Sequence, residues 1–551
     1  MANFNLVDEP WVPCLMGTSP ATATELNVRD TLVRAPEIRE IAGETPLVTI
    51  ALHRLLLAIV HRCIGPLDVA TWRHWWEARA WDATLIDDYL RAWRHRFDLF
   101  DEERPFYQTA AVDFSRGLWP LTRNFLLSKK ALFFDHDLES MPAAVSPAEA
   151  VRLLVAFQWF DVGGIKSAEQ DKDFADASPL TQCAVGLVRG ENLFRTLMLN
   201  LHRYAPRQGM PFDFDAERDA PAWERDEAAR PEDRAPDGYL DYLTWQSRRL
   251  RLLPEFDADG KVVVRQSVIM KGFQLPDLEA RRRAETMVAF RRNPNAKGSQ
   301  DPWPAIGFQE EKALWRDSLA FFQSIHERYT RPRMVNWLNE LAEAEVLHRR
   351  EIVPMDFYGL AVDRANALFW RQERLILPLL YLDKPELFHR LGDALALAEN
   401  VAQLCRSGYV DIEVDGKTRK PPSPFRVMAG LLVGADGPVG DVVSHLAPER
   451  VYWSALDLPF RRLIVDLADD VAFDAEGDEV YGTRALPHWG VDVAEAARAA
   501  FAAATDGLDG SARSLKAAAV GEREFRWLLN RILDRPGVSA GADAAVVGGA
   551  R

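Results

Sequence analysis

Cysteine is scarce in this 551-residue chain, which contains only Cys14, Cys63, Cys183 and Cys405, all far apart. No two of them form the C-x-x-C spacing of a zinc site or a redox pair, so we expect neither a structural metal nor a disulfide framework. No cofactor is predicted. Scattered cysteines without a disulfide pattern are typical of proteins in a reducing compartment, and we therefore expect a cytoplasmic location.

Leader sequences, long apolar runs and an excess of positive charge are also missing. The N-terminus, MANFNLVDEPWVP, has no basic region followed by an apolar core, and nowhere do 18 apolar residues follow one another. We therefore expect neither secretion nor membrane insertion. With 67 Lys and Arg against 82 Asp and Glu, the net charge is −15. This excludes a protein that coats nucleic acid with its whole surface, although local basic patches remain possible.

A complete phosphate-binding loop and an H-E-x-x-H zinc motif are absent as well. Gly416-Lys417-Thr418 resembles the end of a phosphate-binding loop, but Asp411 occupies the position of its first glycine. No H-E-x-x-H occurs. His136-Asp137 resembles the paired ligands of HD phosphohydrolases, which need a further His and Asp that the sequence alone cannot place. A metal-dependent hydrolase therefore remains an alternative.

Hydrophobic residues make up 48% of the chain, and 17 of them are Trp. This length and composition predict two or three domains and an α+β fold. We expect a large, irregular N-terminal domain over 1–375, a four-helix bundle over 376–535 and a disordered Gly/Ala-rich tail over 536–551. The bundle helices are predicted at about 385–406, 446–470, 489–505 and 511–534.

Within the first 375 residues, hydrophobic periodicity and turn residues predict several elements. Leu6 to Pro13 is expected to form an edge strand, because two prolines would interrupt a central one. A hairpin turn is predicted at 257–260. Further expectations are helices at 45–64, 67–81, 87–97 and 310–329, strands at 242–253 and 261–269, and a strand pair within 355–371.

The stretch from Ser146 to Ser167, SPAEAVRLLVAFQWFDVGGIKS, is the most organised part of the sequence. Ser146 and Glu149 form a capping-box pattern with Pro147 at the first helical position, and the apolar residues that follow surround the helix axis. We therefore predict a buried helix that holds the Gly163-Gly164 turn in a fixed place. An ordinary glycine C-cap is the simpler interpretation.

Basic residues concentrate between 248 and 333, where Phe273, Phe290 and Trp303 lie among them. Such a mixture suits a surface that follows phosphates and stacks on bases, although solvated helix faces produce similar runs. The basic residues are Arg248, Arg249, Arg251, Lys271, Arg281, Arg282, Arg283, Arg291, Arg292, Lys297, Arg331 and Arg333.

Seven short motifs, taken in order along the chain, resemble one family. They are NLVDEPWVP near the N-terminus, RPFYQT at 104–109, LFFDHD at 132–137, FDVGGIKS at 160–167, FRRNP at 290–294, ALWRDSL at 313–319 and GLAVDRANALFWR at 359–371. The family is the large subunit of the type I-E CRISPR surveillance complex, the CasA family of Cascade. The ordered set is more specific than any single motif, and it extends from the first strand towards the C-terminal bundle.

The resemblance implies a subunit without catalytic activity. Its partners would be crRNA, the other Cascade subunits, double-stranded target DNA and the helicase-nuclease, with no membrane. Such a subunit recognises the protospacer-adjacent motif (PAM) through the minor groove and begins strand separation. The residues that correspond to the family's glycine loop are Val162, Gly163 and Gly164. Lys166 follows them, Lys271 matches a hairpin lysine, and Arg291 and Arg292 are expected phosphate contacts.

The resemblance also implies a strand-separating wedge and a contact to the guide RNA. The wedge positions are Asp363, Arg364 and Ala365, where arginine replaces the usual glutamine. The contact to the 5′ handle of crRNA falls on Phe133, Phe134, Asp135 and His136. No metal site is expected, because the cysteines that bind zinc in some members are absent. A purely architectural subunit is a further alternative.

Overall fold

The structure is a computed structural model. It describes residues 2–17, 23–65, 68–112, 114, 117–121, 143–166, 174–203, 218–226, 233–298, 300–322, 328–363, 366–414, 417–434, 437–473 and 479–534.

The chain divides into two compact units. The N-terminal unit comprises 1–310, 323–349 and 353–375, and the C-terminal unit comprises 311–322, 350–352 and 376–551. The segments 311–322 and 350–352 therefore belong to the C-terminal unit although they precede residue 376. A single domain boundary at residue 375 does not predict this.

The helices among the described residues are α1 (Val28–Val33), α2 (Pro46–Cys63), α3 (Val69–Ala78), α4 (Ala83–Trp93), α5 (Pro147–Phe160), α6 (Leu193–Asn200), α7 (Tyr239–Leu243), α8 (Leu278–Ala284), α9 (Leu319–Phe322), α10 (Arg333–Glu343), α11 (Pro385–Ala402), α12 (Pro424–Val433), α13 (Val439–Leu446), α14 (Pro448–Ala455), α15 (Asp457–Asp469), α16 (Ala485–Asp506) and α17 (Ala512–Leu533).

The strands are β1 (Val12–Met16), β2 (Thr24–Leu26), β3 (Ile38–Ile41), β4 (Trp119–Pro120), β5 (Gly164–Ile165), β6 (Phe174–Ala175), β7 (Val185–Val188), β8 (Arg248–Phe256), β9 (Val262–Lys271), β10 (Phe290–Arg291), β11 (Tyr329–Thr330), β12 (Ile352–Asp363), β13 (Asn366–Pro378), β14 (Ile412–Val414), β15 (Lys417–Arg419), β16 (Val471–Phe473) and β17 (Glu479–Tyr481).

The strands form small, separate sheets rather than one large one. Among the described residues, three sheets have three strands each, in the orders β2-β1-β3, β4-β9-β8 and β13-β12-β7, and the remaining strands pair two by two. Helices surround these sheets without the regular alternation of an α/β protein. The predicted α+β fold is confirmed.

Helices α2 and α5 pack against each other in the core of the N-terminal unit. The Thr45 side chain caps α2 by accepting from the backbone N–H of Val48 at 3.2 Å, and Pro46 occupies the first helical position. By length and composition α2 could cross a membrane, but 83% of this apolar stretch is buried inside the protein. It therefore serves as a core helix, within one residue of its predicted bounds.

In the C-terminal unit, the long helices α11, α15, α16 and α17 pack together with the shorter α12 to α14. Trp315 is buried in this unit, with its ring stacked 4.3 Å from that of Phe460. The neighbouring Trp489 donates from its indole Nε1 to the Ala394 carbonyl at 2.8 Å, so that a large aromatic side chain is buried with its polar atom satisfied. A C-terminal helical bundle is present, but among the described residues it consists of the seven helices α11 to α17 rather than the four predicted.

The strand predicted over 242–253 starts only at Arg248, because Tyr239–Leu243 form α7. Three further predicted elements differ from the structure. Strand β1 begins at Val12 and is the central strand of its sheet rather than an edge strand. Because proline has no backbone N–H, Pro13 contributes no donor to the hydrogen bonds between the strands. The helix predicted over 310–329 is replaced by a 3₁₀ turn at Leu314–Asp317 and the single turn of α9, because Trp315 packs into the C-terminal unit.

The third difference is the helix predicted over 446–470, which consists of α14 and α15 after the end of α13. Proline explains the breaks. Pro448 starts α14, after Ala447 in a left-handed conformation at φ 45°, and Pro459 fits only the first turn of a new helix. Helix α12 is missing from the predicted elements, although Ser423 and Pro424 carry an N-cap signal that the structure uses.

Candidate nucleic-acid interface

Helix α5 begins where its capping residues predict. The Ser146 hydroxyl accepts from the backbone N–H of Glu149 at 3.2 Å, with Pro147 at the first position. Almost every residue from Ala148 to Phe160 is buried. The helix ends at Asp161, whose backbone is extended. The Gly-Gly turn therefore directly follows a helix that is buried along almost its whole length.

Gln158, in the last turn of α5, fastens this helix to the start of β8. Its amide nitrogen donates to the Arg248 carbonyl at 3.0 Å, and its amide oxygen accepts from the Arg248 N–H at 2.9 Å. The Ser247 hydroxyl donates to the Gln158 carbonyl at 2.6 Å. All three residues are buried, so these bonds fix the position of the helix end without competition from water.

The Asp161 carboxylate is buried between two cations. Its Oδ2 lies 2.5 Å from Arg248 Nε and 2.6 Å from Lys166 Nζ. Arg248 is fully buried, and its Nη2 also donates to the Asp176 carbonyl at 2.6 Å. A buried carboxylate needs such partners, because its desolvation is costly without them. Arg248 thereby joins both arms of the Gly-Gly turn to β8.

Lys166 is predicted to contact DNA, and the structure gives its ammonium group a local role. In addition to its ion pair with Asp161, it donates to the Val162 carbonyl at 2.8 Å, and its side chain is only 13% exposed. These contacts favour Lys166 as a residue that shapes the turn. Its predicted contact to DNA remains a prediction.

The two glycines are required for different reasons. A Cβ on Gly163 would lie 3.1 Å from the Ala177 nitrogen and 3.3 Å from the Ala175 carbonyl oxygen, so a side chain there would require the returning strand to move by a few tenths of an ångström. Gly164 has a φ of +140°, which favours glycine, and a Cβ there would face open space. The turn is therefore tightly packed at Gly163 and accessible at Gly164.

Lys271 lies next to the residue that clamps this turn. It is the last residue of β9 and pairs with Arg248 across the antiparallel ladder. Gln274, three residues later, accepts from the Asp176 N–H at 2.9 Å. The glycine turn and the hairpin lysine are far apart in the sequence. In the structure they lie next to each other.

The Lys271 ammonium lies 3.6 Å from an Asp233 carboxylate oxygen, and its side chain is 26% exposed, against 61% for the aspartate. Exposed ion pairs of this kind contribute about 0–1 kcal/mol, so a phosphate can replace the aspartate at little cost.

Arg291 lies on a different ribbon, formed by β10 and β11, and Arg292 follows directly after β10. The Arg291 guanidinium lies over the Tyr329 ring at 5.6 Å, and Arg292 is exposed. Other members of the predicted basic surface are not available to phosphate. Arg248 and Arg331 are buried, and burial lowers the pKa of Arg331 to about 10. The clustering of basic residues in the sequence does not distinguish these buried arginines from the exposed ones.

The remaining predicted sites are only partly described. Strand β12 ends at the exposed Asp363 and β13 begins at Asn366, so the predicted strand pair is present. Arg364 and Ala365 lie outside the described residues. The same holds for Phe133, Phe134, Asp135 and His136, and for the His136-Asp137 pair of the hydrolase alternative.

Within the described ranges, no group of three or more His, Cys, Asp and Glu side chains is placed to hold a metal ion. The four cysteines are free thiols. Burial raises the pKa of both Cys14 and Cys63 to about 12, so their reactive thiolate forms are suppressed at neutral pH.

Comparison with known proteins identifies relatives over nearly the whole chain. The family described as CRISPR-associated protein Cse1 matches residues 5–500. The CRISPR-associated protein CasA/Cse1 of Thermus thermophilus is 31% identical over 546 residues, which cover 97% of this chain and 98% of the relative.

Solved structures share the fold. The structure of CRISPR-associated protein Cse1 from Acidimicrobium ferrooxidans has a TM-score of 0.73 at 27% identity, covering 97% of this chain and 98% of the other. A chain of a CRISPR RNA-guided surveillance complex has a TM-score of 0.70 at 19% identity, covering 96% and 99%. Since the family match extends over most of both units, the chain belongs to the CRISPR-associated Cse1 family.

Proposed function

We propose that this protein is the non-catalytic large subunit of a crRNA-guided surveillance complex in the cytoplasm, where it recognises the PAM in duplex DNA. Membership of the Cse1 family supports a role in CRISPR defence, and the shared fold with a chain of a surveillance complex supports assembly with crRNA and other subunits. Strand separation and recruitment of the helicase-nuclease complete the proposed role.

The observation that carries this proposal is the fixed Gly163-Gly164 turn beside Lys271. The minor groove of B-DNA is about 6 Å wide and presents acceptor atoms on its floor, so a backbone without side chains can enter it and donate from its N–H groups. Lys271 supplies a cation at the same place. A local positive group of this kind is needed on a protein of net charge −15.

The β12–β13 strand pair provides the second step of the proposal. Its connection, at Asp363 to Ala365, would enter the duplex next to the PAM and hold the first base pair open. Opening a base step costs a few kcal/mol, and PAM binding by the glycine turn supplies part of it.

The test substitutes Gly163→Asp in the complex assembled with crRNA. The new carboxylate adds both bulk and negative charge at the turn, and we expect the affinity for PAM-bearing duplex to fall about 10- to 100-fold, since one lost specific contact costs about 1–3 kcal/mol. Gly408→Asp is the control for an added carboxylate away from the turn, because a Cβ at Gly408 meets nothing within 4 Å and its φ is unexceptional.

Circular dichroism and thermal unfolding must show that the Gly163→Asp subunit is folded, given the close approach of Ala177. Equal affinities of the Gly163→Asp, Gly408→Asp and parent complexes for the same duplex would contradict the proposal and favour a purely architectural subunit.

A further inference from the structure

Two large apolar side chains project into solvent directly after the Gly-Gly turn. Ile165 is 55% exposed and Phe174 is 60% exposed. They are direct partners in the antiparallel pairing of β5 with β6, so their side chains lie on the same face of this two-stranded ribbon. An isolated exposed apolar residue is common, but a cross-strand aromatic and β-branched pair forms a small continuous apolar surface.

The alternation of the ribbon explains why this pair is exposed. Ala175, next to Phe174 on β6, is fully buried, so its side chain faces the body of the protein. Ile165 and Phe174 must then face the other way. Their exposure is therefore set by the register of the ribbon.

The base of the ribbon is held firmly. The Asp176 carbonyl accepts from Arg248 at 2.6 Å, the Asp176 N–H donates to Gln274 at 2.9 Å, and the Ser178 N–H donates to the Asp161 carbonyl at 2.8 Å. The apolar pair is thus presented at a defined distance from the glycine turn.

We propose that Ile165 and Phe174 form an apolar wedge that enters the DNA minor groove beside the bases contacted by the glycine turn, and partly unstacks one base step. This inference rests on the proposed function, because it places DNA at the turn. It adds two contact residues that carry no charge and no hydrogen-bond donor on their side chains.

The position of the pair favours DNA as its occupant. Ile165 follows Gly164 immediately, so a duplex seated on the turn meets the pair next. The walls of the minor groove are deoxyribose rings with apolar C–H faces, and minor-groove proteins frequently insert Phe, Leu or Ile between base steps. Lys271, beside the same turn, draws the phosphates towards this surface.

The experiment uses the complete complex with crRNA and compares Phe174→Ala, Ile165→Ala and the double variant with the parent. We expect the double variant to bind PAM-bearing duplex about tenfold more weakly, the scale of losing one aromatic stacking contact. Binding to a single-stranded target complementary to the guide stays unchanged. Phe256→Ala is the control, because Phe256 is 61% exposed at the far end of β8.

A second readout places 2-aminopurine at successive base steps beside the PAM. In the parent complex its fluorescence rises at the step that the wedge unstacks, and this rise disappears in Phe174→Ala. The inference is overturned by unchanged duplex affinity in the double variant. It is also overturned if the double variant no longer assembles with the other subunits, which would make the pair a protein contact.

Gly163→Asp distinguishes a failure of the apolar wedge from a failure of DNA recognition at the glycine turn. If that variant loses duplex binding while the double variant does not, the wedge alone is wrong. If neither variant affects binding, the proposed recognition of DNA at the turn is wrong as well.

Discussion

Arg248 shows how much of the site depends on one buried side chain. Its place in the sequence puts it among basic residues that could follow phosphates, whereas the structure buries it against Asp161 and the Asp176 carbonyl. Arginine suits this position because its planar group donates in several directions at once. We interpret Arg248 as a positioning residue for the glycine turn.

Arg248→Met tests this interpretation. The substitution leaves Asp161 buried with Lys166 as its remaining cation, and we expect the free energy of unfolding to fall by about 3 kcal/mol, the lower end for a broken buried pair. Urea unfolding of the subunit measures the loss, and Arg249→Met on the same strand is the control.

Adding Asp161→Asn to Arg248→Met removes the uncompensated charge, so the double variant should recover part of the lost stability. If Arg248→Met costs the same stability in the parent and in the Asp161→Asn variant, Arg248 acts through packing alone. In the assembled complex, Arg248→Met should also weaken PAM binding, because the turn loses its clamp.

Among the elements, local signals predicted several long helices and the two longest strand pairs. The cap and first-turn proline of α5 fixed its start, and the Asp257 to Gly260 turn predicted the β8–β9 hairpin, in which Gly260 has a φ of +76°. Prediction failed over 310–329, where burial of Trp315 in the C-terminal unit overrides helical periodicity. The Gly-Gly turn was predicted, but no local signal pairs Asp161 with Arg248.

The β12–β13 strand pair carries a prediction for Arg364. An arginine between these strands can stack on an opened base while pairing with a displaced phosphate. Arg364→Ala should therefore retain most initial PAM binding but slow R-loop opening, and a target with mismatched bases beside the PAM should restore the rate. Stopped-flow fluorescence of labelled DNA measures the rate.

Arg419→Ala, on the exposed β15, provides the control for a lost surface arginine. If Arg364→Ala opens both the matched and the pre-opened target slowly, Arg364 is not the strand-separating residue. A simple ion pair with Asp363 would instead leave both rates unchanged.

At the scale of the whole molecule, buried histidines make stability depend on pH. Burial lowers the pKa of His53 to about 3 and of His202 to about 4, and it lowers the pKa of His61 well below its usual value. The unfolded chain protonates these rings below about pH 6.5, whereas the folded chain keeps them neutral. The free energy of unfolding therefore decreases as the pH falls from about 6.5 towards the folded pKa values.

At pH 5 each of these histidines should lower the stability by about 2 kcal/mol relative to pH 7. Urea midpoints at both pH values measure the effect. His202→Phe should reduce the difference by one histidine's share, while the same change at the exposed His74 should not. Equal pH dependence in His202→Phe and the parent would contradict this origin.

The two cations on Asp161 become available at different moments of protein synthesis. Lys166 follows within the same short stretch, whereas Arg248 is separated from Asp161 by 87 residues. At about 5–20 residues per second, the ribosome delivers Arg248 several seconds later. During that interval Lys166 alone can neutralise the carboxylate. The clamped turn is completed only when β8 docks, so truncated chains that end before β8 lack the arginine that holds the turn in place.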